Sequence, residues 1–148
     1  MGGFVLAGLL MVSCSQQPKD VETVTSTVVP GSVEDFEANV ANTVYFGFDR
    51  YDLTPEALEV LAGVKDWLVA YPTRNVVIEG HTDKRGTKEY NLGLGSRRAE
   101  AVKQFLIKNG IDESRLNTIS YGKEALINLG DDEAAHAQNR RSHVVIGQ

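Results

Sequence analysis

Sulfur chemistry is nearly missing from this chain: a single cysteine, Cys14, allows no internal disulfide and no thiolate cluster for zinc. Histidine is scarce as well, and His81, His136 and His143 lack the close pairing that metal ligands need, so neither a metal nor a cofactor is implied. No apolar run approaches the roughly twenty residues of a bilayer-spanning helix. Basic charge is not in excess, with 15 Lys and Arg against 20 Asp and Glu, which excludes the footprint of a nucleic-acid binder. Phosphate-binding glycine patterns are absent too. Gly93-Leu94-Gly95 lacks the third glycine of a dinucleotide fingerprint, and Gly122-Lys123 lacks the upstream glycine of a phosphate loop. There is no serine elbow, and His81 near Asp83 is the only pairing that suggests amidase chemistry. A histidine that ends a strand and bonds to backbone is the plainer reading, so no catalytic residues are expected.

What is present fits one domain with appendages, since 148 residues with 42% hydrophobic content bury one ordinary core. Residues 1–13 carry no charge, and Phe4 to Val12 form a short apolar run ending at Ser13 and Cys14. This pattern reads as an export signal, and Met11-Val12-Ser13-Cys14 resembles a lipobox, where a cysteine is acylated and becomes the first residue of the mature chain. Acyl chains on Cys14 would anchor the protein at a membrane, because each buried methylene contributes about 0.8 kcal/mol. From Cys14 to Val40 the chain is poor in large apolar residues, is broken by Pro18, Pro30 and Gly31, and sets one lysine against five carboxylates. It reads as a flexible tether over residues 14–40. A β-strand in the Val/Thr-rich part is the alternative.

The folded domain is expected over residues 41–148. Thr43 to Phe48 is rich in strand formers, and Thr54-Pro55 supplies an N-cap followed by proline at the first helical position. Leu58, Leu61, Lys65 and Leu68, widened by Ala62 and Val69, give a helical stripe that Tyr71-Pro72 ends. Val76 to Gly80 is a second strand. A helix follows over Lys88 to Lys108, closed by Asn109-Gly110. Asn117 to Tyr121 is a third strand, Asp132 caps a short helix reaching Asn139, and Ser142 to Ile146 is the last strand. The order β-α-β-α-β-α-β predicts a two-layer α/β domain with helices packed on a mixed sheet.

On the long helix Asn91, Leu94, Gly95 and Arg98 fall at i, i+3, i+4 and i+7, on the face that continues into Val102, Phe105 and Leu106. Arg98 thus points toward the sheet, where a guanidinium needs an anion or several kcal/mol of desolvation goes unmet. Gly95 is expected to open the approach to it. Asp83, in Glu79-Gly80-His81-Thr82-Asp83 at the exit of the second strand, is the acidic candidate. From spacing alone, the two either pair with each other or flank a ligand, in which case they suit an amino acid zwitterion.

Tyr45-Phe46-Gly47-Phe48-Asp49, the block Glu79 to Asn91, Leu94 to Val102, Tyr121 to Glu124 and Asn139-Arg140-Arg141 resemble the OmpA-like peptidoglycan-binding domain, and within it the peptidoglycan-associated lipoprotein branch. The resemblance covers about Thr43 to Ile146. It implies that Asp83 and Arg98 hold the free end of diaminopimelate in an uncrosslinked stem peptide of peptidoglycan. It further implies that Phe48 and Asp49, with Thr82, Asn91 and Leu94, line the pocket. An outer-membrane lipoprotein facing the periplasm follows, with the β-propeller TolB of the Tol-Pal envelope system as an implied partner. A rival reading is a protein-interaction module whose main work is docking such a partner. Asn139, Arg140 and Arg141 are read as structural ties.

Overall fold

A computed structural model of the protein describes residues 27–148. The expected signal at 1–13, Cys14 and the tether up to residue 26 lie outside those residues. The elements run α1 (Val33–Asn39), β1 (Thr43–Tyr45), α2 (Pro55–Ala70), β2 (Val76–His81), α3 (Lys88–Lys108), a 3-10 turn (Glu113–Arg115), β3 (Leu116–Gly122), α4 (Glu133–Asn139) and β4 (Arg141–Ile146). The four strands form one mixed sheet in the order β1-β4-β2-β3. β2 pairs parallel with β3 and antiparallel with β4, and β4 pairs antiparallel with β1. This is the expected two-layer α/β architecture, with one helix more at the start.

That helix corrects the tether boundary. Ser32 caps α1 by accepting from Asp35 N, and Phe36, fully buried, packs edge-on against Trp67 at 4.9 Å. The Asp35 carboxylate accepts from Trp67 Nε1 at 3.0 Å and from Gly31 N at 2.8 Å. Residues 31–40, expected as tether, therefore belong to the folded body. A helix of seven residues with one inward apolar side chain offers no periodic stripe to read.

α2 begins as expected, with the Thr54 hydroxyl accepting from Ala57 N and Pro55 at its first position. Its buried stripe is Ala57, Leu61, Val64 and Leu68 rather than the one built on Leu58, and Val69 is exposed. These side chains meet Val44, Val76, Ile78, Val144 and Ile146 from the sheet and Ala99, Val102 and Leu106 from α3 in one core. Each fully buried valine or leucine contributes about 1.5–3 kcal/mol.

β1 stops at Tyr45, short of the expected Phe48. Phe46 N still donates to Arg140 O, but the chain then turns, with Arg50 N bonding Gly47 O and Asp49 in the left-handed region at φ 56°. This turn matters because it follows the end of β1, at the edge of the sheet where β2 also ends and β4 begins, beside the loop that follows β2.

Candidate functional site

α3 positions the arginine. Thr87 caps it by accepting from Tyr90 N, Glu89 and Lys108 sit at the ends where their charges suit the helix dipole, and Gly110 at φ 97° closes it. One turn before Arg98, Gly95 lies against β2: a Cβ built on Gly80 would stand 1.7 Å from the Gly95 carbonyl oxygen, and one on Gly95 would stand 2.3 Å from Ser120 Oγ. Gly95 thus serves the close approach of helix and sheet, not an opening to the cavity as the sequence suggests.

That approach buries Arg98 completely. Its guanidinium donates from Nη1 to His81 O at 2.9 Å, from Nε to Arg50 O at 2.8 Å and from Nη2 to Gly47 O at 3.1 Å, with the Phe46 ring 5.2 Å from its carbon. Arg98 therefore fastens the 47–50 turn to the end of β2. Three of the five guanidinium N–H groups are spent in this way, and two remain. Burial, with the charge of Arg140 close by, pulls its pKa down to about 10, while Asp83, Asp49 and Tyr90 act in the other direction. It stays cationic at neutral pH.

Asp83 is also buried, and it does not pair with Arg98. Its Oδ2 accepts from Arg85 Nη2 at 2.7 Å, and its Oδ1 accepts from Arg85 Nε at 3.2 Å and from Arg85 N at 3.0 Å. Arg140 Nη1 stands 3.6 Å from Oδ2. Burial raises the pKa of this carboxyl, but hydrogen bonds and charge from Arg85 outweigh it and hold the group below the usual carboxylate range.

Asp83 and Arg98 share one cavity of about 230 Å³ with Phe48, Asp49, Thr82, Arg85, Gly86, Tyr90, Asn91 and Leu94. All seven residues anticipated for the pocket thus come together. Their parts differ. Thr82 donates to Asp83 O at 3.0 Å, and the Asn91 amide donates to Arg85 O at 2.9 Å and Thr87 O at 3.0 Å, so both shape the loop that carries Asp83. Leu94 gives an apolar wall. Phe48 is largely exposed, with the Arg85 guanidinium 4.3 Å from its ring centre. The Tyr90 hydroxyl donates to the Asp49 carboxylate, holding that residue in a backbone conformation that aspartate tolerates better than most.

Sequence reasoning missed Arg85, Gly86 and Tyr90 as lining residues. Arg85 adjoins Asp83 in a turn where no periodicity applies. Tyr90 was readable as one position before Asn91 on the same helix, at the edge of the inward stripe.

The chain's sequence matches the OmpA family over residues 45–140. The chain belongs to that family. Within it, the chain is 43% identical over 133 residues to the peptidoglycan-associated lipoprotein of Pasteurella multocida, covering 90% of this chain and 87% of that protein. It is 52% identical over 101 residues to the Haemophilus influenzae protein of the same name, covering 68% of this chain and 66% of its relative. Among solved structures, the peptidoglycan-associated lipoprotein from Burkholderia pseudomallei superposes with a TM-score of 0.70 at 42% identity, over 72% of this chain and 91% of that one. These matches place the chain in the peptidoglycan-associated lipoprotein branch of the OmpA family.

Asn139, Arg140 and Arg141 make the tying contacts expected of them. Asn139 accepts from Ile127 N at 2.8 Å and donates to Asn128 O at 2.7 Å, Arg140 donates to Phe46 O at 2.9 Å, and Arg141 donates to Ala125 O at 3.2 Å. His81, the residue behind the amidase reading, turns its ring away from the cavity. It lines a groove with Thr43, Tyr45, Glu79, Arg141 and His143 and stacks on Tyr121 at 5.3 Å. Burial first, then Arg141 and His143, lower its pKa to about 4. Among the described residues no helix is long and apolar enough to cross a membrane, and no group of three or more His, Cys, Asp or Glu is placed to hold a metal.

Proposed function

We propose that this protein is an outer-membrane lipoprotein that grips peptidoglycan without covalent chemistry, holding the free zwitterionic end of diaminopimelate in an uncrosslinked stem peptide between Asp83 and Arg98. One observation carries the reading: two buried side chains of opposite charge line a single cavity and are not spent on each other. The ligand's ammonium would approach the Asp83 carboxylate, and its carboxylate would take the two remaining N–H groups of Arg98 as charge-assisted bonds. Leu94, Phe48 and Tyr90 flank the aliphatic stem between the two charges.

The relatives' name supports the wall as ligand and a lipid as anchor. Acylation of Cys14 supplies that anchor in this reading, and the segment after it spans from the membrane to α1. TolB would be a periplasmic partner within the Tol-Pal system. No reaction is assigned to the site.

The test is cosedimentation of the full chain with diaminopimelate-type and lysine-type peptidoglycan, comparing wild type with Asp83→Asn and Arg98→Lys and checking that each variant melts as a folded protein. Selective binding of the diaminopimelate type, lost in both variants, is expected. Equal binding by all three proteins would sink the clamp.

A further inference from the structure

We propose that Arg85 is the specificity residue of this cavity: it occupies Asp83 as a built-in stand-in for the ligand's ammonium, so that only a ligand end which also offers a carboxylate to Arg98 displaces it. The inference rests on the reading that the cavity takes a zwitterionic end, and it names what keeps other cations out.

The Asp83 side chain is 6% exposed, so its carboxylate is reached from the cavity, and Arg85 lies across it. The contact has two points, at 2.7 and 3.2 Å, and the guanidinium also rests on the Phe48 ring. A lone ammonium entering here breaks two charge-assisted bonds and makes no more than it breaks. A zwitterion makes up the difference at Arg98. Amines such as a lysine side chain, and ends whose carboxylate is amidated, therefore lose to Arg85.

Displacement also needs somewhere for Arg85 to go. Glu133 Oε2 lies 3.9 Å from Arg85 Nη2, on an exposed side chain whose other oxygen is held by Arg140 Nη2 at 2.7 Å. A short swing moves the guanidinium from one carboxylate to the other. Asp83 keeps Arg140 Nη1 beside it and the Arg85 backbone N–H on its Oδ1 throughout, so the buried carboxylate is never bare. The two stations make the exchange cheap for the right ligand.

The experiment measures binding of the full chain to three stem tripeptides, ending in diaminopimelate, in its amide at the free carboxylate, and in lysine. Wild type should favour the first by about tenfold or more, the span of one charge-assisted contact. Arg85→Ala should bind the amidated and lysine peptides more tightly, narrowing that ratio, and Arg85→Lys, which holds Asp83 at one point, should fall between. Glu133→Gln should weaken diaminopimelate binding by removing the landing place. A parallel loss for all three peptides in Arg85→Ala makes Arg85 an ordinary ligand contact and overturns the proposal, as does an unchanged ratio in a variant that still melts cooperatively. Absence of diaminopimelate binding in wild type overturns the site reading as well, which separates the two failures.

Discussion

Gly80 and Gly95 meet across the interface of β2 and α3 so closely that neither has room for a methyl group. A Cβ on Gly80 would fall 1.7 Å from a backbone oxygen, and one on Gly95 would fall 2.3 Å from the Ser120 hydroxyl, itself bonded to Leu92 O. Because Arg98 sits one turn beyond Gly95, this contact decides whether its guanidinium reaches His81 O. Gly80→Ala is expected to destabilise by about 3 kcal/mol or more, since backbone must move, and Gly95→Ala by about 1–3 kcal/mol. Urea unfolding of both variants checks the ranking, and near-equal midpoints for Gly80→Ala and wild type would contradict it.

Arg98→Ala should cost about 3–5 kcal/mol in stability, because three carbonyls lose their donor and the 47–50 turn loses its fastening. Hydrogen exchange at residues 47–50 should rise in step. A variant as stable as wild type, with those amides still protected, would show that Arg98 is dispensable to the fold.

Phe36→Ala should destabilise by about 3–5 kcal/mol, although Phe36 lies in a stretch whose composition reads as tether. Trp67 packs on that ring, so its fluorescence should shift to the red in the variant. A domain starting at residue 41 should show the same loss, and unchanged stability of that truncation would restore the longer tether.

His81 makes stability depend on pH. The unfolded chain takes up a proton below about 6.5, whereas the folded chain resists until about 4. Between those values the unfolded state binds more protons, so stability falls as the solution is acidified, by up to about 3 kcal/mol, and then levels off. His81→Gln should flatten that part of the profile. Parallel profiles for the two proteins would assign the acid sensitivity elsewhere.

The parts of this molecule that were legible in its sequence are those in which a local rule decides the outcome. Thr54-Pro55 and Thr87 start helices because a hydroxyl satisfies a free backbone N–H, and Asn109-Gly110 ends one because only glycine readily turns left-handed there. Arg98 could be placed from helix spacing alone. The partners it finds could not, since Gly47 and Arg50 lie in one turn, His81 ends a distant strand, and all three offer carbonyls, which every residue has. Arg85 escaped for a related reason: its role depends on the direction in which a turn aims its side chain, and turns carry no periodic signal. The direction of the α2 stripe was misjudged by one position because Leu58 and Val69 are apolar yet face water, where scattered exposed aliphatics are ordinary.

Gly31 is held on both sides, its N–H by Asp35 at 2.8 Å and its carbonyl by Arg74 Nε at 2.7 Å. Under the proposed anchoring through Cys14, a pull on the N-terminal segment would enter the fold near this residue. The two bonds would act as a strain relief on a cable: one passes the pull to Arg74 in the connection between α2 and β2, and the other to Asp35 on α1, which is itself tied to Trp67 of α2. Gly31, Asp35 and Arg74 are none of the residues that line the cavity with Asp83 and Arg98, so such a pull would be taken up on a different part of the structure from the proposed grip.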